Sequence, residues 1–429
     1  MPGRSDPGTS AAAAASRLEE RVCGRMNTPP HNLVADIRGA SRLIVEATTG
    51  VTDLVEAMHG TIAGLAGLVP GSSTERTRGI TGLVYRCVGG GMRLVGHGLD
   101  TALASVARRT GVRPAPPGRD AALAVLNGVL GDHLAASDNP LAITMSLRRE
   151  AVVVHPDHHA IRAAIPAVTG RVLIQAHGLC MNDRQWARGG RDQVAAIAQE
   201  FGYTSMHLHY NSGLRIAANG RRFAELLERL AAQWPVPLEE LVIVGHSMGG
   251  LVARSAHHHG TAAGHAWPAR LRKLVFLGTP HHGAPLERAG NGLDMLLGLS
   301  PYTRPFTRLG RIRSAGITDL RFGCLLDEDW QGRDPSAPQR KDLRTPVPLP
   351  AGVECFTVAA VRAERSDAPA ARLLGDGLVP VASALGEHED DRFALPFPPS
   401  HCWVGVKLSH HDLLSSPQVF ARVGRWLER

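Results

Sequence analysis

The sequence predicts an α/β protein, a mostly parallel sheet with helices on both faces, preceded by a helical region. Two textures and one junction point to it. Before about residue 150, apolar residues recur at three- and four-residue spacing. After it, short β-branched runs alternate with helical patterns, the arrangement of a covered parallel sheet. One of those runs leads directly into a glycine-flanked serine and a helix start.

The N-terminal 25 residues are rich in Ala, Ser, Gly and Pro and read as a flexible extension, with Met26 as an alternative start. The five-residue alanine run is followed by Arg17, Glu19, Glu20 and Arg21, too short an apolar stretch for a secretory signal. Residues 26–150 form the helical region. Its first stripe passes through Ala40, Ile44, Ala47, Val51, Leu54 and Met58 and reads as the buried face of an amphipathic helix over 33–68. A second run passes through Ile80, Leu83, Cys87, Val95, Leu99 and Val106, and a third covers 121–134. Their many glycines lower helix stability and let backbones approach closely. Close helix pairing is the simplest expectation; a hairpin docking on lipid or on a partner protein is the alternative.

Residues 151–429 form the second domain. Strands are expected at 152–154, 171–176, 205–209, 241–245, 273–277, 353–359 and 402–406. Helices are expected at 221–233, 252–258 and 417–427. The stretch 284–350, with mixed helix signals and many prolines, is placed as a cap or lid insertion.

Composition narrows the function. With 429 residues and 44% hydrophobic content the chain can bury a large core. Its net charge of +8 comes from scattered arginines with no basic tail, which gives no reason to expect a nucleic-acid partner. Six cysteines lie far apart without paired spacing, so a zinc ribbon or disulfide framework is not expected and most should be reduced and buried. No run of about 18 uncharged apolar residues occurs. The expected location is cytoplasmic, with peripheral membrane contact through the N-terminal helices as a variant. Oligomeric state is not readable.

The chemistry starts at Ser247. Residues 241–252 are an apolar strand, a G-x-S-x-G turn from Gly245 to Gly249, and a helix start. Small residues at 245 and 249 permit the sharp turn that lifts a nucleophilic hydroxyl above a sheet. A serine needs a base to take its proton and a carboxylate to orient that base. In chain order serine, acid, histidine, the acid is Asp376, between Gly375 and Gly377; Asp367, Asp390 and Asp391 sit in solvated segments. The histidine falls in the loop after the last strand, which offers His410 and His411. For the oxyanion, the backbone N–H of Met248 is one donor and that of Leu179, after His177 and Gly178, the second. His207 with His209, His257 to His259, and His281 with His282 lack Cys or carboxylate partners at ligand spacing, so no metal and no cofactor is expected. His246 reads as a packed neighbour of the nucleophile, and His281 and His282 as pocket floor.

His177-Gly178, the 245–250 motif, the Gly-Thr-Pro-His-His-Gly-Ala-Pro run at 278–285 and the Asp376-Gly-x-Val-Pro run together resemble the lipase and esterase branch of the α/β-hydrolase fold. They are similar in particular to PGAP1-like GPI inositol-deacylase domains and bacterial triacylglycerol lipases. The resemblance covers about 165–429. It implies hydrolysis of a small-molecule or lipid carboxylic ester through an acyl-serine, without cofactor. It favours His410 over His411, because the family pattern is a histidine, one variable residue, then Asp-Leu-Leu. An acyltransferase using the same triad, and a non-catalytic membrane- or partner-binding protein, are the alternatives.

Overall fold

The computed structural model describes residues 30–65, 79–111, 113–114, 118–188, 190–284, 314–332 and 342–428. The expected N-terminal extension and most of the expected insertion, 285–313 and 333–341, lie outside the described residues. The chain divides into two compact units, one built from 116–133 and 143–429, the other from 30–115 and 134–142.

In the smaller unit, helices α1 (Leu33–Leu65) and α2 (Gly79–Arg109) pair as a hairpin. Gly96 of α2 faces Val45 of α1, where a Cβ would lie 2.8 Å from the valine side chain. Asp100 binds both Arg38 and Arg42, at 2.7 and 2.6 Å, and these guanidiniums hold its carboxyl far below the usual range. Gly39 packs on Leu141, and its carbonyl accepts from Asn139 Nδ2 at 3.1 Å. Two expectations change here. Gly90, Gly91 and Gly98 face open space and do not mediate pairing. Ile44, in the stripe expected to be buried, is 66% exposed, because α2 packs on the neighbouring face that carries Arg38, Arg42 and Val45.

The larger unit begins in α3 (Arg119–Ala136), whose first part, to His133, belongs to it. Strands β1 (Ser146–Arg149) and β2 (Val152–Val154) follow, then α4 (His158–Ala164) and β3 (Arg171–Ala176). Next come α5 (Gln193–Glu200), β4 (Thr204–His209), α6 (Ile216–Gln233), β5 (Glu240–His246), α7 (Met248–Ala262) and β6 (Leu271–Leu277). The chain continues through α8 (Ala315–Phe322), β7 (Glu354–Val361), α9 (Pro369–Leu374), α10 (Val381–Ala384), β8 (Cys402–Val406) and α11 (Pro417–Glu428). The sheet order is β8-β7-β6-β5-β3-β4-β1-β2. All pairings are parallel except those made by β1, which is antiparallel to both β4 and β2. The sheet therefore starts at Ser146, a few residues before the texture change in the sequence.

Two apolar clusters cover the sheet faces. Leu241 and Ile243 of β5 join Phe223 of α6 and Leu251 of α7 on one side; Val242 and Val244 join Phe420 and Trp426 of α11 on the other. A strand buried on both faces needs the unbroken apolar run that β5 has. Among the described residues no helix is long and apolar enough to cross a membrane. Cys180 and Cys355 are buried free thiols, Cys324 is buried, and Cys87 is exposed.

Candidate active site

β5 ends at His246, and the chain turns into α7 at Ser247, whose φ of 54° and ψ of −125° disfavour an L side chain. Close packing enforces the turn. A Cβ on Gly245 would lie 2.5 Å from the Gly250 backbone, and one on Gly249 would overlap the carbonyl of Ala176 at the end of β3. Ser247 N–H donates to Leu277 O at 2.9 Å, tying the serine to the end of the neighbouring β6. The serine is 5% exposed.

The residue after Leu277 links the serine to the other two candidates. Gly278 (φ 59°) lies where a Cβ would be 3.2 Å from both Asp376 Oδ2 and His410 Cε1. Asp376 follows Gly375 (φ 56°) and is 1% exposed. Its Oδ1 accepts from the N–H groups of Leu378 and Val379, both at 2.9 Å, and its Oδ2 lies 2.7 Å from His410 Nδ1. His410 N–H also donates to the Asp376 carbonyl at 3.1 Å. Asp412 closes the histidine loop, its carboxylate accepting from Ser409 N–H and Oγ–H at 2.8 and 2.6 Å.

Of the two adjacent imidazoles, only His410 bonds Asp376 among the described contacts. The His411 ring stands edge-on to it at 5.8 Å, and burial, reinforced by His410, pushes His411 down to about 4. The Ser247 hydroxyl makes no hydrogen bond among the described residues.

The 177–179 loop passes against the nucleophile. A Cβ on Gly178 would be 3.1 Å from Ser247 Cβ. His177 shapes this loop: its Nδ1 lies 2.8 Å from Gly178 O, its Nε2 3.4 Å from Tyr210 N, and its ring stacks on Tyr210 at 4.3 Å. Burial pushes His177 to about 4, so it is neutral, with Nδ1–H donating and Nε2 accepting. The Tyr210 hydroxyl donates to His177 O at 2.7 Å. The N–H groups of Leu179 and Met248 make no hydrogen bond among the described residues, which leaves both available to a ligand oxygen.

His246 contributes something that sequence reasoning missed. Its side chain is buried, its Nε2 lies 3.1 Å from His410 O, and the two rings are 4.7 Å apart. Adjacency to the serine was visible in sequence; the partner, 164 residues on, was not. His281 is buried against Phe276 and Arg254, while His282 meets Arg344 and His388. His207 bonds Asp192 at 2.7 Å. Among the described residues no group of three or more His, Cys, Asp or Glu side chains is placed to hold a metal ion. A separate cleft of about 950 Å³, bordered by Arg149, Arg184, Arg191, Asp192 and Tyr203, includes none of Ser247, Asp376 and His410.

Residues 221–347 match the family model described as the PGAP1-like alpha/beta domain, a segment that holds β5, Ser247 and β6. No curated protein matches the chain. Among solved structures, the lipase BlEst2 of Bacillus licheniformis in its mature form is 18% identical over 60% of this chain and 91% of its own, with a TM-score of 0.39. The Pyrococcus furiosus esterase Pf2001 is 15% identical over 61% and 83%, with a TM-score of 0.35. Alpha/beta hydrolase domain-containing protein 10 from mouse is 13% identical over 61% and 90%, with a TM-score of 0.34. The sheet order and the PGAP1-like segment make the larger unit an α/β-hydrolase fold.

Proposed function

We propose that the chain is a serine-dependent carboxylic-ester hydrolase of the lipase and esterase kind. The observation that carries this reading is the 2.7 Å contact between Asp376 Oδ2 and His410 Nδ1, placed beside the β6 terminus that anchors strained Ser247. In this reading Asp376, held by two backbone N–H groups, fixes the His410 tautomer so that Nε2 is the basic atom. Ser247 Oγ attacks the ester carbonyl carbon and its proton passes to His410 Nε2. The bond from serine to base is often long in empty sites and tightens when substrate arrives. The oxyanion takes hydrogen bonds from Met248 N–H and Leu179 N–H, each donor being worth about 3 kcal/mol of barrier. His410 then returns the proton to the leaving alcohol, and an acyl-serine remains. A water molecule, deprotonated by His410, attacks the acyl carbon; the acid leaves and the serine is regenerated. No step calls for a cofactor. The PGAP1-like segment is in line with an ester substrate.

A panel of activated esters of increasing acyl length tests the reading. Wild-type protein should hydrolyse at least one member, and Ser247→Ala should lose that activity while keeping its circular dichroism spectrum. Equal turnover by the variant would refute the assignment.

A further inference from the structure

Tyr210, Asn211, Ser212 and Gly213 follow β4 directly and are all buried, although the first three carry polar groups. A buried polar loop is stable only where those groups find partners. Here the partners lie on two sides. Asn211 fastens the loop to the helices: its Nδ2 donates to Gly131 O of α3 at 2.9 Å, and its carbonyl accepts from Asn219 Nδ2 of α6 at 2.9 Å. Its Oδ1 accepts from Gly213 N–H at 3.1 Å.

From this anchored loop two hydroxyls reach the neighbouring 177–180 loop, one at each end. β3 and β4 are parallel neighbours, so the loops that leave their C-terminal ends run side by side. Tyr210 Oη–H donates to His177 O at 2.7 Å, and Ser212 Oγ accepts from Cys180 N–H at 3.0 Å. Leu179 N–H lies between the two grips. Cys180 has a φ of 59°, a left-handed backbone that a non-glycine residue keeps only when its surroundings hold it. Ser212 supplies that hold, and Gly128 of α3 leaves room for the thiol: a Cβ there would lie 2.2 Å from Cys180 Sγ.

The same contacts set the direction of Leu179 N–H. It belongs to the peptide group whose oxygen is Gly178 O, and a planar trans peptide points its N–H opposite to its C=O. Gly178 O accepts from His177 Nδ1–H at 2.8 Å, so the imidazole fixes that plane. Tyr210 fixes the imidazole in turn, through ring stacking at 4.3 Å and an N–H that faces His177 Nε2 at 3.4 Å.

We propose that Tyr210 and Ser212 are positioning residues for the oxyanion hole, clamping the two ends of the 177–180 loop so that Leu179 N–H is aimed before substrate arrives. The inference rests on the reading of the chain as a serine esterase. A donor whose direction is already set needs no reorganisation when charge develops on the ester oxygen. The clamp therefore acts on the transition state, and its loss falls on kcat and not on KM.

Steady-state kinetics on an ester that wild type hydrolyses, with inhibition by a trifluoromethyl ketone, tests the proposal. Addition of Ser247 Oγ to that ketone gives a tetrahedral oxyanion, so its Ki reads the hole directly. Tyr210→Phe and Ser212→Ala should each lower kcat about fivefold, the worth of one ordinary hydrogen bond, and raise Ki by the same factor, with KM little changed. Tyr203→Phe is the control. Tyr203 stands just before β4, is also buried and gives its hydroxyl to Glu240 Oε1 at 2.6 Å. Its substitution should lower the urea midpoint and leave kcat and Ki as in wild type. Should Ser212→Ala misfold by circular dichroism, Tyr210→Phe, which removes only an oxygen, decides alone. Ser247-dependent hydrolysis with kcat and Ki unchanged in these variants overturns this inference alone, as do kcat and Ki that fail to move together. A wild type inactive on every ester overturns the proposed function and this inference with it.

Discussion

His246 Nε2 lies 3.1 Å from the carbonyl oxygen of His410, so the residue before the nucleophile holds the backbone of the histidine paired with Asp376. His246 is fully buried, and that burial drives its imidazole well below the ordinary range, ahead of the contribution from His410. It is therefore neutral, and Nε2–H donates while Nδ1 stays without a partner among the described residues. One buried hydrogen bond is worth about 1 kcal/mol. His246→Leu should lower kcat roughly fivefold with KM little changed, and His246→Gln, which keeps a donor near Nε2, should recover most of the loss. Equal kcat in the two variants would remove the positioning role.

The strain at Ser247 should be measurable without the hydroxyl. At φ 54° a Cβ is disfavoured, and such residues store on the order of 1–3 kcal/mol. Glycine relieves this at some entropic cost in the unfolded chain. Ser247→Gly should therefore unfold at higher denaturant than Ser247→Ala, by about 1 kcal/mol. The opposite ranking would mean that the turn is not under strain.

Buried neutral histidines make the fold sensitive to acid. Burial is the leading cause that pushes His177, His282 and His411 to about 4, and His209, His246 and His281 well below their ordinary value. Each has a folded pKa below its unfolded value near 6.5, so the unfolded chain takes up protons first. The stabilisation is complete above about pH 6.5 and is lost as pH falls from there towards 4. For His177 alone it is on the order of 3 kcal/mol. Urea midpoints should drop steeply between about pH 7 and about pH 5, and His177→Gln should reduce the slope. A flat profile would contradict these pKa directions.

Much of this was legible because the decisive features are local. The apolar run 241–244, the glycines around Ser247 and the alternation of short strands with helices each encode a backbone geometry within a few residues. Asp376 could be singled out because Gly375 and Gly377 flank it. Choosing between His410 and His411 required the family pattern, since neighbouring imidazoles differ only in which of them faces the carboxylate. The His246 to His410 bond could not be read, because pairing across 164 residues leaves no local periodicity. The exposed face of α1 was misread for a related reason. A heptad stripe marks an apolar face and does not say which face of the helix its neighbour takes. Strand β1 went unrecognised because Ser146–Arg149 ends in two arginines, one of which, Arg148, is buried against Asp183.

The most direct test of the account is peptide mapping by mass spectrometry after reaction of the full chain with a fluorophosphonate. The adduct should fall on Ser247 in wild type, disappear in His410→Ala and persist at close to the wild-type rate in His411→Ala. Labelling of a different serine, or labelling of Ser247 that survives His410→Ala but not His411→Ala, would contradict it.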